Sequence, residues 1–360
     1  MTPVHNLRQV AGRVLMVGLE GPSVTALERS WLRLIKPSGV ILFRRNIETP
    51  EQVIDLLRET TSIVGRPLLR AVDMEGGLVD RLRGIFGAMP SPADVYGTRN
   101  PDLYHHHGIL IGRAAHMMGF NACFAPVLDL ALPEAKEVLG SRVISARPSD
   151  VVHYASAFLT GLAKQEIYAC GKHFPGLGGG TLDSHMHLPE IRRTWDQLWN
   201  EDMVPYRELA HLLPMVMVAH ASYPLVDQFR FPASISEYWI SRILRKRIGY
   251  KGLVISDNME MGGVLSQRSI GDAAVKAIAA GTDMIEICKD PALVIEAFEG
   301  ILRQAEFSPT FAKQLRFSHR RLEDWKERHV IIQTQLLRHP NPARVEKLRA
   351  EIAHFREICS

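Results

Sequence analysis

The chain has 360 residues, 46% of them hydrophobic, and its 43 Lys+Arg against 39 Asp+Glu leave a net charge of only +4. That composition fits one large globular domain or two ordinary ones. Without a dominant basic block it does not point to a nucleic-acid partner. No apolar run approaches the roughly 20 residues needed to span a bilayer, and the N-terminal MTPVHNLRQVAGRVLMVG lacks a signal-peptide pattern, so a cytoplasmic protein with no membrane partner is expected. Cys123, Cys170, Cys288 and Cys359 lie far apart with no CxxC pair. The first three sit in apolar runs, which suits buried reduced thiols.

Short apolar runs recur in order: RVLMVG (13–18), GVILF (39–43), PLLRAVD (67–73), FNACFAPVLDL (120–130), YACGKHF (168–174), PMVMVAH (214–220), GLVISD (252–257) and TDMIEIC (282–288). Their apolarity is continuous rather than alternating, as in strands covered on both faces. Most are followed by helical stretches with recognisable starts. Thr49-Pro50-Glu51-Gln52 supplies an N-cap, a proline at the first helical position and a capping-box glutamine. Thr194 and Gln197 repeat the capping pattern. Ser236 precedes EYWISRILRKRIG, where Trp239, Ile240, Ile243 and Leu244 share a face and Gly249 supplies a stop.

Eight strands alternating with helices suit either a (β/α)₈ barrel or a doubly wound sheet. The placement of polar residues favours the barrel. Asp73 and Glu75, Asp129, Lys172 and His173, His220 and Asp257 end different runs, and only a closed barrel brings all those ends to one mouth. The expectation is an α/β protein: a (β/α)₈ TIM-type barrel over residues 1–330, with a C-terminal helical extension over 331–360. In that extension NPARVEKLRAEIAHFREI reads as an amphipathic helix packed on the barrel.

Three stretches carry candidate chemistry. In AVDMEGGLVDRL (71–82), Asp73 ends a strand, Gly76-Gly77 permits close backbone approach to a ligand and Arg81 can return to the mouth. The plain alternative is a turn with solvated charges. In VISDNMEM (254–261), Asp257 ends an apolar strand, where a helix N-cap is the ordinary reading. The third stretch is GKHFPGLGGGTLDSHMHLPE (171–190). Asp183 and His185, an i, i+2 pair in an extended loop, can face the same way, so the carboxylate can orient the imidazole. No Gly-x-Ser-x-Gly elbow supplies a nucleophile, and Ser184 would point away from the pair. A metal site built from His173, Asp183, His185 and His187 is the other reading, poorly preorganised on a triple-glycine segment.

KHFPGLGGGTLDSH resembles the KHFPGHG…DSH signature of glycoside hydrolase family 3, in its single-domain bacterial β-N-acetylglucosaminidase branch. AVDMEGGLVDRL is similar to IDQEGGRVQRL of that branch, and GVILFRRNIETPEQV to its GGVILFxRN segment. FAPVLDL with LGSRVIS, AHASYPLVD, VISDNMEM and AAGTDMIEI align in order, from roughly residue 10 to residue 325.

The resemblance implies a retaining hydrolase on a (β/α)₈ barrel. Asp257 matches the nucleophile, His185 the general acid/base and Asp183 the carboxylate that holds it. Asp73, Arg81, Arg142, Lys172 and His173 match residues that grip the sugar hydroxyls. Most retaining glycosidases use two carboxylates about 5–5.5 Å apart. An imidazole, which ordinarily titrates at about 6.5, can instead donate and accept protons near neutrality. The implied substrate is terminal β-linked N-acetylglucosamine, from peptidoglycan-derived muropeptides in cell-wall recycling. No metal or organic cofactor is implied.

Four positions depart from the pattern. Leu177 replaces a histidine, Met74 and Leu78 replace a glutamine and an arginine, and Asn258 replaces the second aspartate of SDD. Family 3 β-glucosidases usually carry tryptophan after the nucleophile and take their acid/base from a second domain; Asn258 and the Asp-Ser-His loop argue for N-acetylglucosamine instead. Phosphorolysis, another β-glycosidase activity, and a catalytically weak sugar-binding barrel are the alternatives.

Overall fold

The computed structural model describes residues 3–135, 138–180, 188–227, 231–266, 268–329 and 337–360. The eight apolar runs each contain one strand: β1 (Leu15–Gly18), β2 (Gly39–Leu42), β3 (Leu69–Val72), β4 (Ala122–Cys123), β5 (Tyr168–Phe174), β6 (Met215–Val218), β7 (Leu253–Asn258) and β8 (Met284–Ile287). Each pairs in parallel with its sequence neighbours, and β8 closes on β1 with Leu15 opposite Ile285 and Met16 opposite Glu286. The expected α/β (β/α)₈ barrel is the observed fold.

Strand alternation explains why both faces are apolar. Met16, Ile41, Leu69, Met215, Met217, Leu253, Ile255 and Met284 turn inward and form one buried cluster. Val17, Val40, Val216, Val254, Ile285 and Ile287 turn outward into the larger core beneath the helices. The inner cluster also takes in Leu322 and Trp325 from the helix Pro309–His329. That helix covers the N-terminal end of the barrel: Lys326 Nζ donates to Pro67 O at 2.8 Å, and Arg321 Nε pairs with Asp283 at 2.7 Å. With the bottom closed, the C-terminal end is left as the mouth.

Local signals hold with two corrections. Thr49 Oγ1 accepts from Gln52 N at 3.2 Å with Pro50 at the first position, but Gln52 Oε1 accepts from Glu48 N rather than closing the box on Thr49. Thr194 and Gln197 do form the reciprocal box. Ser236 does not cap its helix. Its hydroxyl donates to Asp227 Oδ2 at 3.0 Å, and the helix Tyr238–Arg247 is wound with i→i+5 bonds such as Ile248 N to Ile243 O at 2.9 Å. Trp239, Ile240, Ile243 and Leu244 are nonetheless all buried, and Gly249 takes the left-handed φ of 79° after the helix.

The C-terminal helix Pro342–Ile358 buries Val345, Leu348, Ile352 and Phe355, spaced as one helical stripe. It packs on the short helix Arg83–Phe86 and the long helix Pro101–Met117. Arg349 donates to Ile85 O from Nε and Nη2 at 3.0 and 2.7 Å. The helix therefore supports the segment that follows β3. The boundary expected at 330/331 lies outside the described residues. No helix among the described residues is long and apolar enough to cross a membrane, and all four cysteines are buried free thiols.

Candidate active site

Six of the expected site residues converge on one cleft of about 150 Å³ at the mouth: Asp73, Arg81, Arg142, Lys172, His173 and Asp257. Asp73 follows β3. Arg81 follows a two-stranded hairpin, Met74–Gly76 with Val79–Asp80, that rises from it. The helical turn Gly140–Arg142 brings Arg142, β5 carries Lys172 and His173, and β7 carries Asp257. Asp183 and His185, with His187, lie outside the described residues.

The β3 and β5 sides are joined by charge. Lys172 Nζ sits 2.8 Å from Asp73 Oδ1 and 2.6 Å from Glu75 Oε1, and Arg142 holds both Glu75 oxygens at 2.8 and 2.9 Å. Arg81 stands 4.0 Å from Asp73. Burying such charges is costly unless every one has a partner, and here each has at least one. Burial would raise the Glu75 pKa, but the facing Arg142 and Lys172 outweigh it and hold the carboxyl at about 2. Burial would likewise deprotonate Lys172; Asp73 and Glu75 outweigh that and hold it above its ordinary range.

His173 is oriented from behind. Its Nδ1 lies 2.7 Å from Asp129 Oδ2, and Leu177 N donates to Asp129 Oδ1 at 2.7 Å. A carboxylate can only accept, so the proton sits on Nδ1 and Nε2 is the nitrogen free for other contacts. The Lys172–His173 peptide is cis, as are the Ala125–Pro126 and Phe174–Pro175 bonds. Near Asp257, His220 Nε2 donates to Asn258 O at 3.0 Å, and Nδ1 lies 2.7 Å from Ser234 Oγ. Burial disfavours the Asp257 carboxylate, yet the imidazoles of His173 and His220 and the Asn258 N–H outweigh it and set its pKa below the usual value. Asp257 is thus ionised at neutral pH and lines the cleft.

One glycine expectation is corrected. Gly76 and Gly77 have φ of 91° and 58°, and a Cβ on Gly76 would fall 2.1 Å from Pro90 O. The close approach they permit is to the chain's own 89–91 segment, not to a ligand. Gly178 is also packed rather than loose, because a Cβ there would fall 2.3 Å from Leu130 O.

The four departures fall in different surroundings. Met74 is fully buried, Leu177 is buried against the cleft, Leu78 is 70% exposed and Asn258 Oδ1 accepts from Glu260 N. Two cleft residues lie outside the expected set: Glu75, the hub of the ion network, and Glu286. Glu286 lies within TDMIEIC, where a lone acid in an apolar strand was the available signal.

Comparison with known proteins matches residues 4–322 to the glycosyl hydrolase family 3 N-terminal domain. The chain belongs to glycoside hydrolase family 3. It is 36% identical over 296 residues to a beta-hexosaminidase of Idiomarina loihiensis, covering 81% of this chain and 88% of that one. A beta-hexosaminidase of Alkalilimnicola ehrlichii is 37% identical over 332 residues, covering 89% and 93%. Among solved family 3 structures, a beta-N-acetylglucosaminidase from Paenibacillus sp. superposes with a TM-score of 0.89 at 28% identity, over 97% of this chain and 68% of that one. Native NagZ from Neisseria gonorrhoeae superposes with a TM-score of 0.77 at 30% identity, over 95% and 97%.

Proposed function

We propose that this chain is a retaining exo-β-N-acetylglucosaminidase with Asp257 as nucleophile. The observation that carries the reading is the ionised Asp257 on the wall of a cleft whose other side is the Asp73–Lys172–Glu75–Arg142 network. The names of the relatives, beta-hexosaminidase and beta-N-acetylglucosaminidase, support the substrate class.

In this reading the sugar binds with its hydroxyls against Asp73, Arg81, Arg142, Lys172 and His173. Asp257 attacks the anomeric carbon. His185, oriented by Asp183, protonates the departing oxygen and then takes a proton from the water that hydrolyses the glycosyl-enzyme. The network is already paired before substrate arrives, so its groups need little reorganisation as charge develops at the anomeric centre. The finer substrate we propose is the terminal N-acetylglucosamine of peptidoglycan-derived muropeptides, met in the cytoplasm.

The test is hydrolysis of an aryl β-N-acetylglucosaminide against the aryl β-glucoside, with and without phosphate. We expect the first to be cleaved to free sugar in both buffers. Release of sugar 1-phosphate would replace hydrolysis by phosphorolysis, and no turnover of either glycoside would remove the enzymatic reading. A mechanism-based fluorosugar should label the wild type, detected by intact mass, and leave Asp257→Asn unlabelled. His185→Ala should keep the fold while turnover falls by several orders of magnitude.

A further inference from the structure

β8 delivers a cleft residue to which the proposed mechanism gives no task. Glu286 is 3% exposed and lines the same cleft as Asp73 and Asp257. Its neighbours Ile285 and Ile287 turn outward under the helices, so strand alternation turns Glu286 inward at the level of the mouth. Its Oε1 accepts from Cys288 Sγ at 2.8 Å. Its Oε2 is buried and has no hydrogen-bond partner among the described residues.

A buried polar atom without a partner is uncommon and costly in a folded protein. An ionised Glu286 would add a third negative charge beside Asp73 and Asp257, while Lys172 is already bound to Asp73 and Glu75. The titratable and charged groups around it are Asp73 from β3, Lys172 and Cys170 from β5, Asp257 from β7, and Cys288 just beyond β8. Burial, then Asp73, then Asp257 all favour the neutral acid and raise its pKa well above the usual carboxylate value. With Oε1 accepting from the thiol, the acid proton belongs on Oε2.

We propose that Glu286 is a substrate-binding residue that donates a hydrogen bond from Oε2–H to an oxygen substituent of the sugar bound between Asp73 and Asp257. This deepens the glycosidase reading and rests on it for the identity of the sugar. The acid does in neutral form what the charged grips do on the opposite wall. It adds a donor without placing another negative charge beside the nucleophile.

Two substitutions separate donor from shape. Glu286→Gln keeps an N–H donor on a side chain of the same size, and Glu286→Leu removes it. We expect Glu286→Leu to raise KM for the aryl β-N-acetylglucosaminide, and Kd for N-acetylglucosamine by calorimetry, about 10- to 100-fold, the loss of one hydrogen bond to a ligand. Glu286→Gln should stay within about three-fold of wild type on the same scale. Infrared difference spectra of wild type minus Glu286→Gln at neutral pH should show a protonated-carboxyl carbonyl band.

An ionised Glu286 in those spectra, or Glu286→Leu with wild-type KM and Kd, overturns the proposal, and the spectra decide even if the leucine variant fails to fold. The parent reading fails separately, through absence of turnover in the wild type. If sugar binding survives that failure and Glu286→Leu loses it, the binding role stands without the hydrolase. If the wild type neither binds nor cleaves the sugar, both fall.

Discussion

The two walls of the mouth handle buried acid in opposite ways. On the β3–β5 wall, Glu75 is ionised because Arg142 and Lys172 contact both its oxygens, and Lys172 also bonds Asp73. On the β7–β8 wall, Glu286 has no ion-pair partner and one oxygen without a hydrogen bond among the described residues, and burial beside Asp73 and Asp257 raises its pKa well above the usual carboxylate value. Both are fully buried glutamates lining one cleft, so neither residue type nor burial decides the charge. Partners do. The paired wall is a preassembled frame, whereas in the proposed reading the other holds the groups that meet substrate.

The sharpest break in this comparison is at Asp257. Asp257→Asn should lower kcat by at least about 10³-fold, roughly 4 kcal/mol of barrier, in steady-state assays. Its melting temperature should stay close to that of the wild type. Next comes the frame itself. Lys172→Met removes the buried cation that bridges Asp73 and Glu75, leaving only Arg142 on Glu75 and the more distant Arg81 on Asp73, and should cost about 3–5 kcal/mol in urea denaturation. Adding Glu75→Gln to it should recover part of that loss.

The pH dependence of stability should separate the two walls. Glu75 titrates at about 2 when folded and near the ordinary glutamate value of 4.5 when unfolded. Its folded pKa is depressed, so its contribution is fully present above 4.5 and is lost as pH falls toward 2. The loss should be about 3 kcal/mol, and acid unfolding of Glu75→Gln should lack that component. The smallest effect is expected behind the β3 wall. Arg349→Ala removes two hydrogen bonds to Ile85 O and should cost about 1–2 kcal/mol of stability. KM should shift by no more than about three-fold, since none of the residues proposed to grip the sugar is touched.

Much of this was readable in advance where the signal is local. The eight continuous apolar runs became the eight strands because a strand covered on both faces must be apolar throughout. Asp73, Lys172, His173 and Asp257 came together because parallel strands of a closed barrel end on one face, while Arg81 and Arg142, matched through the resemblance, reach the same mouth from the hairpin after β3 and the turn Gly140–Arg142. The readings that went astray depended on neighbours distant in sequence. Gly76 looked ready for a ligand but meets Pro90, Ser236 looked like a cap but bonds Asp227, and the helix Pro309–His329 carried no sign that it would close the barrel's floor.

The same division runs through the site. The sequence by itself determined the strand order, the family resemblance and the placement of acids and bases at strand ends, because patterning and motifs act over a few residues at a time. Only the tertiary structure decided which charges meet. Lys172 reaches Asp73 and Glu75 across about a hundred residues of chain, and alternation along β8 turns Glu286 inward while Ile285 and Ile287 face the helices. A proton's position is set by the dielectric and the charges within a few ångströms, and those become neighbours only when the barrel closes.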